Sequence, residues 1–224
     1  MDFLSPKEIE MIQKGILETL YMTSLSTLFA YFIGLPLGVV LAITGKGGLK
    51  RNPVIYSVLG FIVNVLRSAP FLILLVTLIP FTRLIVGTSI GSTATIVPLT
   101  IAAFPFIARL VESSLKEVDS GVVEAADSMG STRWQIIWKV LLPEARSSLL
   151  LGVAIATTTI LSYSAMAGFV GGGGLGDIAI RFGYYRWQQK MMLITVILLI
   201  IIVQIIQELG LFLSKKLNKK RSDG

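Results

Sequence analysis

Long apolar stretches separated by short polar ones set the pattern of this chain. No Asp, Glu, Lys or Arg occurs from Tyr21 to Gly45, from Leu84 to Ala108, or from Ser147 to Gly176. About 20 helical residues at ~1.5 Å rise cross a ~30 Å hydrocarbon layer, and each of these runs is long enough. None shows period-2 alternation. Backbone polar groups within a bilayer must be satisfied inside their own segment, so helices are predicted rather than a barrel. The expected spans are 19–43, 55–80, 89–111, 147–169 and 191–213. The predicted fold class is all-α, a polytopic membrane protein of about five transmembrane helices. An N-terminal segment 1–18, a membrane domain 19–213 and a basic tail 214–224 are the expected divisions.

Charge then sets the expected orientation. The 44–54 loop, the 109–146 segment and the tail together carry 13 of the 20 Lys and Arg residues, including Lys219, Lys220 and Arg221. The opposite side carries 6, and Arg67 lies inside the second span. The positive-inside rule places the basic side in the cytoplasm, with the N-terminus outside and the C-terminus inside. The tail reads as a stop-transfer and anionic-lipid anchor, so the net charge of +7 calls for no nucleic acid. Residues 1–17 have no basic stretch followed by a short apolar run and a small-residue site, so no cleaved signal peptide is expected.

Composition agrees and removes several chemistries. Charged residues make up 15% and mean hydropathy is +0.79, too little polar surface to face water on all sides. The chain has no Cys and no His, which removes thiolate chemistry, the commonest metal ligand and the commonest general base. No catalytic residue, metal site or enzymatic activity is expected.

Polar positions within the spans are few. Arg67, in Leu66-Arg-Ser-Ala-Pro70, either snorkels to the inner boundary or faces a pathway. Pro70 removes a helix hydrogen bond and is expected to break the span. Hydroxyl residues crowd the first span (Thr23, Ser24, Ser26, Thr27) and the fourth (Thr157, Thr158, Thr159, Ser162, Ser164). Like Gly34 and Gly38, they suit close helix packing.

The cytoplasmic stretch Val118 to Pro143 carries the most information. Ser120 is placed to cap a first short helix, with Glu124 in its early turns and Gly130 ending it in a left-handed conformation. Ser131 or Thr132 caps a second helix, in which Trp134, Ile137, Trp138 and Leu141 form one apolar stripe. Pro143 is expected to stop it. Helices this short need something to pack against.

Glu124-Ala125-Ala126, Gly130 and Val140-Leu141-Leu142-Pro143, at their spacing, resemble the EAA signature of binding-protein-dependent ABC importer permeases, with Val140 where that family has Ile. The resemblance implies a type I importer permease fold whose loop 112–146 forms coupling helices docking on an ATPase subunit. Glu124 would supply the polar contact, Ala125 and Ala126 close approach and Gly130 the bend, with Leu142 and Pro143 completing the signature.

Further segments resemble the methionine-import permease subunit of that family: Asn64 to Leu75, Ile79 to Arg83, Ser162 to Asp177 and Tyr184-Tyr-Arg-Trp187. This similarity implies a homodimer in the bacterial cytoplasmic membrane, two ATPase subunits that bind ATP and Mg, and an extracytoplasmic solute-binding protein. The cargo it implies is methionine, in the L form and for some members the D or oxidised form. Asn64, Arg67, Ser68, Tyr163, Ser164 and Met166 are the candidate pathway or gate residues. Tyr163 and Met166 lie one helical turn apart, placed either to meet a thioether in a central cavity or to pack helices.

Gly171-x-Gly173-x-x-Gly176 matches a dinucleotide-binding pattern only on paper, because it follows a membrane span instead of a strand. A flexible loop abutting the binding protein or gate is expected there. The chain contains no GxxxxGK[ST], so ATP must act on a partner. The alternatives are a permease for another amino acid or small solute and, from a different class, a secondary transporter. The latter would be expected to carry central acidic groups in its spans.

Overall fold

The computed structural model describes the backbone of residues 5–222 and the side chains of 5–216. Met1–Leu4, Asp223 and Gly224 lie outside the described residues, as do the side chains of Lys219, Lys220 and Arg221. Among the described residues the secondary structure is helical, without strands. The elements are α1 Pro6–Thr44, α2 Pro53–Ser68, α3 Phe71–Thr77, α4 Ile79–Val86, α5 Ser92–Lys116, α6 Ser120–Ser128, α7 Arg133–Ile136, α8 Leu142–Glu144, α9 Arg146–Ala167, α10 Gly174–Ile178 and α11 Gln189–Ser222. Wide π-turns, Ile137–Leu141 and Ala179–Tyr184, follow α7 and α10.

Four of these stretches are long and apolar enough to cross a membrane: Pro6–Thr44, Ser92–Lys116, Arg146–Tyr184 and Gln189–Lys216. Counting α2 with α3 as one interrupted span gives five. The interruption falls at Ala69 and Pro70, as expected. Proline lacks an N–H and pushes the preceding residue out of the helical region, and Pro70 takes extended angles (φ −60°, ψ 131°) ahead of α3. Exposed side chains such as Phe32, Phe61 and Leu84 would be costly in water and suit hydrocarbon.

Several helix edges differ from expectation, and α11 runs on to Ser222, past the expected end at 213. The first helix begins at Pro6, so most of the N-terminal segment 1–18 continues it as helix. Helix α5 runs on to Lys116, past the expected end at 111, because Glu112 finds partners that let it be buried.

The described chain divides into two compact units. The described residues up to 29, with 69–103 and 157–206, form the first; 30–68, 104–156 and the described residues from 207 onward form the second. In the first, Ile12, Ile178 and Met191 build a core with Ile16, Phe182 and Ile194 around it. In the second, Leu41, Val63 and Ala108 do so with Leu37, Tyr56 and Leu59. Here α1 lies close against α5 because Gly34 and Gly38 lack side chains. A Cβ on Gly34 would fall 2.8 Å from the Phe104 carbonyl oxygen, and one on Gly38 2.6 Å from that of Ala108. This is the small-residue packing expected of the Gly34–Gly38 pair, and α1 stays helical through Pro36 between them.

Candidate functional site

The segment that the sequence singles out lies in the second unit and is built by local capping. Asp119, not Ser120, caps α6: its Oδ1 accepts from the Gly121 N–H at 2.7 Å. Asp119 sits outside the helix in an extended conformation, whereas Ser120 is already its first residue. Gly130 follows with φ 78° and open space where a Cβ would be, so its backbone angle is what requires glycine. The Gly130 N–H donates to the Asp127 carbonyl at 2.9 Å and the Ser131 N–H to that of Ala126 at 3.1 Å, closing the helix end. Thr132 then opens α7 with a full capping box. Its Oγ1 accepts from the Gln135 N–H (3.3 Å), and Gln135 Oε1 accepts from the Thr132 N–H (2.8 Å).

The apolar stripe expected along the second helix does not survive as drawn. Ile136, Ile137 and Leu141 are buried, while Trp134 and Trp138 are 68% and 53% exposed and meet edge to face at 5.5 Å. The phase shifts because the turn Ile137–Leu141 is π rather than α, with the Leu142 N–H reaching back to the Ile137 carbonyl. Pro143 supplies the reason. It has no N–H, its ring presses on the carbonyl four residues earlier, and a widened turn just before it relieves both problems. Helical winding therefore passes through Pro143 in α8, where a stop was expected. Of the signature residues, Ala126 is buried, Leu142 is half-buried, and Glu124, Ala125, Gly130 and Pro143 are exposed. Glu124 also lines a cavity of about 430 Å³ with Lys46, Gly47, Lys116, Val123 and Leu141. Met129, 79% exposed, extends the uncovered surface.

The structure adds a charge cluster on α5 that the sequence analysis does not single out. Glu112 is 4% exposed. Its carboxylate takes Arg109 Nη1 at 2.6 Å on one oxygen and Lys116 Nζ at 2.6 Å on the other, and accepts from the Tyr56 hydroxyl at 3.0 Å. Arg109 Nη2 also donates to the Gly60 carbonyl at 3.1 Å and to Asn64 Oδ1 at 3.0 Å. The cluster thus ties α2 to α5. A buried carboxylate is tolerable when paired and fully hydrogen-bonded, as here. The i, i+3, i+7 spacing of Arg109, Glu112 and Lys116 was its one sequence signal.

The candidate pathway residues fall into separate groups. Asn64, Arg67 and Ser68 share an exposed face of α2, with Ser68 Oγ donating to the Asn64 carbonyl at 2.8 Å. The Arg67 guanidinium lies 5.8 Å from the centre of the Phe106 ring. In the first unit, Tyr163 stacks flat on the buried Phe71 ring (4.6 Å, 4° between planes) and Met166 is exposed. Ser164 is turned inward, and its hydroxyl donates to the Leu161 carbonyl at 2.7 Å.

The glycine-rich stretch is clamped where a flexible loop was expected. Thr95 Oγ1 donates to the Gly172 carbonyl (3.1 Å), Glu18 Oε2 accepts from the Gly174 N–H (2.8 Å), and Thr19 Oγ1 accepts from the Leu175 N–H (2.9 Å). Gly171, Gly173 and Gly174 all have positive φ. Gly168 packs on the backbone of Gly176, and Gly176 on the backbone of Ala165, so neither has room for a Cβ.

Comparison with known proteins agrees with this arrangement. Residues 34–218 match the family described as binding-protein-dependent transport system inner membrane component. A probable D-methionine transport system permease protein, MetI, of Vibrio cholerae serotype O1 is 54% identical over 201 residues, covering 90% of this chain and 89% of that protein. Its counterpart in Pasteurella multocida is 46% identical over 215 residues, covering 96% and 99%. A chain of the MetNI methionine ABC transporter, solved in inward-facing conformations, superposes with a TM-score of 0.94 at 46% identity, again over 96% and 99%.

Proposed function

Because the chain belongs to the family of binding-protein-dependent transport system inner membrane components, we propose that it is the permease subunit of an ATP-driven methionine importer. The observation that carries the reading is the exposed edge of the 120–144 segment. Two locally capped helices, too short to stand alone, present Met129, Trp134 and Trp138 with nothing in this chain covering them fully. An ATPase subunit gripping that edge would have short linkage to the membrane helices. Only Glu117, Val118 and Asp119 separate α5 from α6, and only Ala145 separates α8 from α9. The Glu112 cluster then joins α5 to α2, the helix bearing Asn64, Arg67 and Ser68. A displacement of the segment therefore reaches a candidate pathway face through stiff elements. That is what alternating access requires of a two-state device biased by ATP bound on another chain.

The assembly contains a second copy of this chain, two ATPase subunits that hold ATP and Mg, and an extracytoplasmic solute-binding protein. The N-terminus lies outside and the basic tail in the cytoplasm of a bacterial inner membrane. Glu124, Ala125, Ala126, Gly130, Leu142 and Pro143 form the coupling signature. Residues 1–18 lead into the membrane domain 19–213, and 214–224 form the tail. A secondary transporter is disfavoured because both buried acids among the described residues are already paired, Glu112 with Arg109 and Lys116 and Asp177 with Arg181. The test is uptake of labelled L- and D-methionine into proteoliposomes holding the full complex. ATP-dependent accumulation that requires the binding protein supports the reading. Uptake of a different solute alone, or uptake without ATP, contradicts it.

A further inference from the structure

The stretch from Tyr184, the last residue of the π-turn, to α11 combines features that neither coupling nor the pathway uses. Tyr184, Tyr185 and Trp187 are all exposed, Trp187 to 83%. The two tyrosine rings meet edge to face at 5.3 Å. Trp187 is held at φ 57°, rare for a bulky residue, by a turn in which the Gln188 N–H donates to the Phe182 carbonyl at 3.1 Å. Between the aromatics, Arg186 lies 4.6 Å from the centre of the Phe182 ring. Arg181, nearby, is already paired with Asp177.

Position decides what would cover such a surface. Helix α11 begins at Gln189, and its exposed side chains turn apolar almost at once, at Leu193, Ile197, Ile200 and Ile201. Four residues of helical rise, about 6 Å, separate Gln189 from Leu193, and Trp187 lies just two residues ahead of that start. If Leu193 faces acyl chains, Trp187 and its tyrosine neighbours lie at the headgroup layer, the depth that amphipathic rings favour. An arginine stacked on a ring still points its in-plane N–H fork outward, and that fork matches the oxygens of a phosphate ester.

We infer that Arg186, held on Phe182 and flanked by Tyr184, Tyr185 and Trp187, binds the phosphate of an anionic phospholipid at the N-terminal boundary of α11. The lipid fixes the register of α11 in the bilayer. This goes beyond the transport reading and does not depend on the cargo. Charge and continuity with the hydrocarbon-facing stripe favour lipid over a protein partner, whose docking is the rival outcome.

The sequence supplies a convenient probe, because its 3 tryptophans are Trp134, Trp138 and Trp187. The full chain carrying Trp134→Phe and Trp138→Phe would be placed in nanodiscs of phosphatidylcholine doped with a phospholipid brominated high on its acyl chains. Brominated phosphatidylglycerol should quench Trp187 more strongly than brominated phosphatidylcholine at equal mole fraction. The difference should correspond to about fivefold local enrichment for one interfacial cation. Arg186→Gln should remove the preference while leaving Trp187 quenchable, and Arg186→Lys should retain part of it. Equal quenching by both lipids in the parent chain would overturn the proposal. So would a Trp187 that neither lipid quenches and that responds to added solute-binding protein instead.

Discussion

The 120–144 segment and the glycine-rich stretch 168–177 invert one another. In the first, tryptophans and a methionine stand exposed while isoleucines beside them are buried. In the second, glycines with no side chain to bury are themselves enclosed, in a stretch whose N–H groups donate to Glu18 and Thr19 and whose Gly172 carbonyl accepts from Thr95. Exposed large side chains on a rigid, capped scaffold mark a surface completed by another molecule. Enclosed glycines mark a place where backbone must touch backbone. On the proposed reading the first region is completed by a partner, whereas the second is closed by contacts within the chain. Substitutions should therefore damage assembly in one and folding in the other.

The largest effect is expected at Gly176→Ala. Its Cβ would fall 2.5 Å from Ala165 Cα, a contact that only a backbone shift can relieve. A loss of about 3 kcal/mol or more is predicted, read as a lower thermal midpoint in detergent. A near-native midpoint would break the comparison on the folding side.

Next in size is Glu112→Ala, which strands Arg109 and Lys116. Lys116 is partly exposed, so the cost should lie at the low end for a broken buried pair, about 3 kcal/mol. Glu112→Gln, which keeps the shape and some of the hydrogen bonds, should lose less. If the cluster also transmits motion, the ratio of transport to ATP hydrolysis should fall in the assembled complex.

Trp134→Ala with Trp138→Ala should sharpen the other side of the comparison. Stability of the isolated chain should change by less than about 0.5 kcal/mol, as for exposed positions. Affinity for the ATPase subunit should drop by about 2 kcal/mol per anchor, roughly 30-fold. Equal damage to both would show that the pair is structural. Gly130→Ala should have the smallest effect, about 1 kcal/mol, because space is open there and only the left-handed angle is penalised.

Much of this architecture was legible beforehand, and the reasons are local. Charge-free runs mark three of the spans, Pro70 marks the break in the second, and Gly130 and Thr132 mark the hinge and cap of the cytoplasmic helices. Each rests on chemistry within a few residues. The misreadings share a different cause. The tryptophan stripe assumed a uniform helical period, which the π-turn before Pro143 shifts. The glycine loop looked free because Glu18 and Thr19, its clamps, lie 156 positions away. In sequence Arg109 and Lys116 count only toward the basic side of the membrane, and the packing of α2 on α5 reveals their joint hold on Glu112.

The central claim is that the 120–144 segment is gripped by a separate ATPase subunit in the cytoplasm. The chain contains no cysteine, so Met129→Cys introduces a single thiol at an exposed position. Fitted with a short photo-crosslinker in the assembled complex, it should join the ATPase subunit, and in intact cells it should resist membrane-impermeant thiol reagents. Labelling from outside the cell, or a crosslinker that never reaches the ATPase subunit, would contradict the account.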